Sequence, residues 1–219
     1  MKKTIFAYLT LIFLLSCKSN TGAITVEWGS LRDDYPFTQG WSYSDGIYLN
    51  EYGQLVCDGF CDEASYKMKD EYGRIYPDSI AQYYQVIDTT HYHHTLQSEA
   101  QCYEWNGTNF AYAYKDSGDT IRSYTLCNTA THSSLQLAIK DNTCIARIEL
   151  NSVTPVGLTY FECTGGYIKI DKAEFQKNNL KAEFNLTFEN TKESGQPMWW
   201  KGKIFTKIDS KNKNIYNID

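Results

Sequence analysis

Residues 180–189 read LKAEFNLTFE, and their alternation decides the fold class: Leu180, Ala182, Phe184, Leu186 and Phe188 interleave with Lys181, Glu183, Asn185 and Thr187. Successive side chains of a strand point to opposite faces, so this pattern gives one apolar face to a core and the other to water. An amphipathic helix would repeat its apolar positions every three or four residues instead. Working outward, MWWKGKIFTKI (198–208) carries Trp200, Gly202, Ile204 and Ile208 on one parity and Lys201, Lys203 and Lys207 on the other. Joined through NTKESGQP, the two segments are expected to pair antiparallel with 184 against 204 and 186 against 202. Further upstream, SSLQLAIK alternates Leu135, Leu137 and Ile139, and GGYIKI places Ile168 and Ile170 together. CYEW-NGTN-FAYAY contains a turn at Asn106-Gly107, and KDSGD turns the chain into TIRSYTLC. The expectation is a mainly β protein, an antiparallel meander over about 100–208 forming a barrel or a sandwich.

The first half reads differently. WSYSDGIYLNEYGQLVCDGFCDE (41–63) is rich in Tyr, Gly and Asp and predicts short hairpins and loops pinned by Cys57 and Cys61. Pro77, Asp78 and Ser79 offer a start for one short helix carrying Ile80, Tyr83, Tyr84 and Ile87 at helical spacing. No Pro/Ser/Gly linker separates the halves, so residues 31–208 are expected to form a single β-rich domain with a flexible tail at 209–219.

The chain opens MKKTIFAYLTLIFLLSCKSN, with Lys2 and Lys3 before an apolar run from Ile5 to Leu15. That run has the length of an export signal and is too short to span a bilayer. Leu14-Leu15-Ser16-Cys17 resembles the lipobox of bacterial lipoproteins, in which a long apolar residue stands three before the cysteine and a small one directly before it. The resemblance implies removal of residues 1–16, palmitate-type acylation at Cys17 and a lipid-anchored tether over 17–30. It also implies a place in the cell envelope; Lys18 is not the aspartate associated with inner-membrane retention, so an outer-membrane anchor facing the periplasm is expected.

Six further cysteines form an even set, which in an exported chain points to disulfide bonds. CIARIEL puts Cys144, Ala146, Ile148 and Leu150 on one face, and LTYFEC puts Thr159, Phe161 and Cys163 on one face of the next strand. With 148 opposite 159, residue 146 meets 161 and 144 meets 163, so a Cys144–Cys163 bridge is predicted. Cys57–Cys61 and Cys102–Cys127 are the economical remainder. Zinc at Cys57 and Cys61 lacks a matching second pair of ligands.

Loss of residues 1–16 removes two lysines and no acid, leaving 19 basic against 26 acidic side chains. That balance argues against nucleic acid, which needs a basic footprint, and suits a basic protein partner. No G-x-S-x-G elbow, phosphate-cradling loop or dinucleotide fingerprint occurs, and the carboxylate pair Asp62-Glu63 reads as a solvated loop. No catalytic residue and no cofactor is therefore expected. Eighteen tyrosines, ten phenylalanines and five tryptophans supply the unusual composition. Such rings suit protein recognition or stacking on sugars. Trp199, on the outward parity beside Lys201 and Lys203, and Tyr48 and Tyr52 are the candidate binding residues, with Tyr43, Tyr66, Tyr72 and Tyr76 nearby in sequence. The expected function is a non-enzymatic, lipid-anchored binder of another protein, with immunity to a periplasmic toxin as its specific form. A carbohydrate-binding lipoprotein is one alternative. Metal binding through His91, His93 and His94, with Asp88 or Glu99 supplying oxygen, is the other.

Overall fold

The computed structural model describes residues 22–32 and 41–211, apart from 45, 60, 129, 155–156 and 194. The signal segment, Cys17 and most of the expected tail lie outside the described residues. Strand β1 (Ala23–Gly29) precedes an insert holding β2 (Trp41–Ser42), β3 (Ile47–Leu49), β4 (Leu55–Cys57), helices α1 (Glu63–Lys67) and α2 (Ile80–Val86), and β5 (Tyr92–His93). Then follow β6 (Leu96–Gln101), β7 (Ala111–Lys115), β8 (Ile121–Thr125), β9 (Ser133–Lys140), β10 (Thr143–Asn151) and β11 (Leu158–Asp171). Helix α3 (Lys172–Gln176), β12 (Asn179–Phe188) and β13 (Met198–Asp209) complete the chain.

Strands β7 to β13 run as the expected meander, and β13 returns to pair with β7 in parallel at Ile208 and Asp209. Strand β1 enters between β10 and β11 where these diverge, antiparallel to β10 through Ala23–Thr25 and parallel to β11 through Val26–Gly29. Eight strands thus close into a barrel, which removes the exposed sheet edges an open meander would leave. Residues 23–29, expected as tether, are therefore barrel wall. Strand β6 lies along the first half of β13, and its entry is tied to β7 by the Thr95 hydroxyl, which donates to the Ala111 carbonyl and accepts from the Ala111 N–H, both at 2.8 Å. The turn expected at Asn106-Gly107 does not join two paired strands; residues 105–110 cross from β6 to β7 outside any strand.

Inward parity follows the sequence. Leu180, Ala182, Phe184, Leu186 and Phe188 are buried, as are Trp200, Ile204 and Ile208. Together with Leu135, Leu137, Ile139, Ile148, Leu150, Phe161, Ile168 and Ile170 they pack as one cluster inside the barrel. Burying each large apolar side chain contributes about 1.5–3 kcal/mol.

Two registers differ from expectation, each by two residues. Phe184 faces Gly202 and Leu186 faces Trp200, while Ile148 faces Phe161 and Leu150 faces Thr159. A shift of two keeps every side chain on its own face, so the apolar pattern is satisfied either way. On its other side β13 meets β6, where a Cβ on Gly202 would lie 2.4 Å from the Gln97 carbonyl oxygen, so only glycine fits there. On β11 the ladder to β12 shifts between Cys163 and Gly165, and Gly166 follows at φ 114° with a hypothetical Cβ 2.1 Å from the Asn185 carbonyl oxygen. This bulge bends β11 away from β10 and opens the gap that β1 fills.

Lys181, outward by parity, is nonetheless buried. Leu31 covers it, its carbonyl accepting from Nζ at 3.3 Å, and Asp171 stands 3.9 Å from the same ammonium while accepting the Leu31 N–H at 2.9 Å. The segment after β1 is thereby strapped to the outside of β12.

The insert has its own small core of Val56, Cys57, Met68, Ile75, Tyr83 and Ile87. The single unit expected over 31–208 therefore buries its apolar side chains in two separate large clusters. The short helix expected after Pro77 is present as a 3-10 turn, Pro77–Ser79, leading into α2, and α1 and α3 add two more.

Candidate functional site

Nine of the fifteen exposed large hydrophobic side chains among the described residues fall within 48–86, inside the insert. They are presented by a tightly tied frame. Trp41 pairs with His93 and Ser42 with Tyr92, bringing the two ends of the insert together. Asp88 reinforces this neck, its Oδ2 accepting from the Ser44 hydroxyl at 2.5 Å and from the Tyr92 hydroxyl at 2.7 Å. The hydrogen bonds from Ser44, then Thr90 and Tyr92, hold the Asp88 carboxyl far below the usual carboxylate range.

Above the neck, the β3–β4 hairpin is clamped to the start of α1 by the Cys57–Cys61 disulfide. Asp62 caps α1, accepting from the Ala64 N–H at 2.7 Å, and Glu63 pairs with Lys67 at 2.9 Å, which accounts structurally for this carboxylate pair. Tyr83 is fully buried beneath the hairpin, its hydroxyl accepting from the Cys57 N–H at 2.8 Å. Burial first, then the neighbouring phenols of Tyr48, Tyr84 and Tyr66, push its ionisation above the ordinary tyrosine range. Those three rings are themselves exposed, and that of Tyr84 meets the Tyr83 ring edge-on at 6.0 Å. Two have fixed hydroxyls: Tyr84 accepts from the Leu55 N–H at 3.3 Å and Tyr66 donates to the Gly59 carbonyl.

The turns at 50–54 and 70–74 lie side by side, since Asn50 Nδ2 donates to the Gly73 carbonyl at 3.1 Å and the Ile75 N–H donates to Gln54 Oε1 at 2.9 Å. They display Tyr52 and Tyr72, the latter 72% exposed. The Arg74 guanidinium lies 5.5 Å from the Tyr52 ring centre and Lys69 Nζ lies 5.2 Å from that of Tyr66. A hydrogen bond to Glu51, with smaller contributions from burial and Asp70, raises the Tyr52 phenol above its ordinary range.

Of the residues expected from sequence, Tyr48 and Tyr52 are therefore exposed on the insert, as are Tyr66, Tyr72, Tyr76 and Tyr84. Trp199 stands elsewhere, on the outside of β13, its Nε1 donating to Gln101 Oε1 at 3.0 Å and the Lys201 ammonium 5.1 Å above its ring. Beside it an open groove of about 420 Å³ runs past Glu99, Lys201, Lys203, Glu183 and Tyr167, with Lys201 paired to Glu99 at 2.8 Å. The three histidines do not converge. His91 packs edge-on against Tyr43, His94 against Phe110, and His93 sits in the neck ladder. Among the described residues no three His, Cys, Asp or Glu side chains come together as metal ligands.

The cysteines correct two expectations. Cys57–Cys61 is bonded, but Cys102, Cys127, Cys144 and Cys163 are free thiols. The two-residue register shift pairs Cys144 with Ile139 and Ile24, and Cys163 with Phe188, so the two sulfurs no longer stand opposite each other. Burial pushes the Cys144 and Cys102 thiols up to about 12, leaving them protonated and unreactive.

One cluster had no sequence signal. Glu104, at φ 47°, accepts from the Ser152 hydroxyl at 2.5 Å and stands 3.5 Å from His132 Nδ1, while its carbonyl accepts the His132 N–H at 2.7 Å. The carboxylate lies between serine and histidine, so the histidine cannot serve as base toward the hydroxyl; the arrangement ties three loops at one barrel end. Comparison with protein-family models, with curated proteins and with solved structures gives no match.

Proposed function

We propose that this chain is a lipid-anchored protein of the bacterial envelope, held at the outer membrane through Cys17, that binds another protein without catalysing a reaction. In its specific form the partner is a toxin reaching the periplasm, and the lipoprotein confers immunity by occluding it. The observation that carries the binding role is the concentration of exposed rings on a disulfide-clamped insert. Tyrosines combine large contact area with a polar tip, and rings already fixed by their hydroxyls lose little entropy when a partner covers them.

A photo-crosslinker placed at Tyr72 in cells tests the reading. A discrete protein adduct is expected, reduced at least about tenfold when Tyr48→Ser and Tyr84→Ser are combined, as for interface hot spots. No adduct, or one indifferent to these changes, would overturn it. Mass spectrometry of the mature chain tests the anchor separately: an acylated N-terminal Cys17 is expected, and two or three buried acyl chains, at about 0.8 kcal/mol per methylene, hold a domain firmly at the membrane. An unacylated chain retaining residues 1–16 removes the envelope address.

A further inference from the structure

Acidity is segregated in this molecule. Residues 41–93 carry nine acidic against three basic side chains, whereas 94–209 carry thirteen against twelve. The barrel is nearly neutral, and the excess negative charge of the folded body sits on the insert that displays the tyrosines. Among the described residues of that insert, the one ion pair is Lys67 with Glu63. Glu51, Asp70 and Glu71 flank the Tyr52–Tyr72 turns without a cation paired to their carboxylates among the described residues.

The rings themselves supply a second, independent observation. Arg74 over Tyr52 and Lys69 over Tyr66 show two of these tyrosines already receiving a cation on the ring face. A ring quadrupole attracts an ammonium or guanidinium, and the attraction grows when a partner excludes water. Carboxylates beside such rings add a charged acceptor for the same group.

Resting on the protein-binding role proposed above, we infer that the partner presents a cationic surface, whose Lys and Arg side chains lie over the Tyr52 and Tyr72 rings and pair with Glu51, Asp70 and Glu71. The charge pattern then selects the partner and speeds its encounter, while the rings retain it. The barrel, lacking this excess, takes no part in the selection.

The test uses the full chain and a set of soluble peptides of about 12 residues, matched in aromatic content and ranging in net charge from about −4 to about +6, read by fluorescence anisotropy. Affinity is expected to rise with positive charge. It is expected to fall at least about tenfold when ionic strength goes from about 0.01 to about 1 M, which shortens the screening length from about 30 to about 3 Å. Glu51→Gln with Glu71→Gln, and separately Tyr52→Ser with Tyr72→Ser, should each weaken the arginine-rich peptide several-fold, circular dichroism reporting an unchanged fold. Equal binding by the tyrosine variant would mean diffuse counter-ion association and overturn the inference. Preference for neutral or acidic peptides, or no binding by any, overturns it as well. A cellular adduct at Tyr72 that is lost with Tyr48→Ser and Tyr84→Ser but insensitive to Glu51→Gln and Glu71→Gln would leave the protein-binding role standing and remove only the cationic partner.

Discussion

The barrel and the insert are held together by different means. Twenty-five buried side chains form the barrel cluster, which contains no disulfide, whereas six form the insert's cluster, with one of them, Cys57, bonded to Cys61. A closed sheet buries enough apolar surface to offset the ordering of its backbone. A segment with so small a core does not, and a covalent clamp, a capped one-turn helix and an aspartate-tied neck make up the difference. The difference has a functional side. The barrel turns its large side chains inward and is nearly neutral, while the insert turns many of its tyrosines outward and carries the charge.

Four changes would break or sharpen that contrast. Trp200→Ala empties the largest fully buried site of the barrel and is expected to cost about 3–5 kcal/mol in urea unfolding, with the insert's Cys57–Cys61 clamp intact. Cys57→Ser with Cys61→Ser opens a very short loop, for which chain entropy gives about 2 kcal/mol. Its amide-exchange signature should appear in residues 46–87 and leave β7 to β13 protected; exchange across both regions would show that insert and barrel unfold as one. Tyr83→Phe leaves the buried Cys57 N–H without its acceptor and should cost about 1–3 kcal/mol, confined to the same residues.

The smallest expected effect comes from acid. The Asp88 carboxyl is depressed in the folded state relative to its ordinary 3.8. Its contribution to stability is therefore complete above that value and is lost as pH falls below it toward the folded value, because the unfolded chain binds the proton first. Amides at Ser44 and Tyr92 should lose protection as pH drops below about 4, and Asp88→Asn should remove this local dependence. A neck whose protection does not change over that range would show that the ladder between β2 and β5, rather than the carboxylate, closes the insert.

Part of the candidate surface was legible before folding. Tyr48 and Tyr52 stand out because a loop-rich stretch full of tyrosine cannot bury them all, and both are exposed. That Tyr83 is buried beneath the hairpin, with Tyr84 edge-on against it, was not legible, because contacts between a hairpin and a short helix have no periodic trace. The histidines misled for the opposite reason: HYHH is local in sequence, yet only His93 lies in a strand, and His91 and His94 turn to separate aromatic neighbours, Tyr43 and Phe110. Glu104, Ser152 and His132 meet across three loops and left no signal.

What the chain determined by itself is which way its side chains face: the alternations at 133–140, 144–150, 180–188 and 198–208 place inward and outward residues correctly, with Trp200 buried and Trp199 outside. Only the tertiary structure decided which residues meet. Strand side chains repeat every two residues, so a slip of two leaves the hydrophobic pattern unchanged, and both hairpins read from sequence are displaced by that amount. For the hairpin of β10 and β11, the bulge at Gly165–Gly166 and the entry of β1 between the two strands accompany the observed register. The bulge and the entry of β1 also separate Cys144 from Cys163, and the strap at Leu31 buries Lys181. Each depends on a neighbour distant in the chain, which no local pattern encodes.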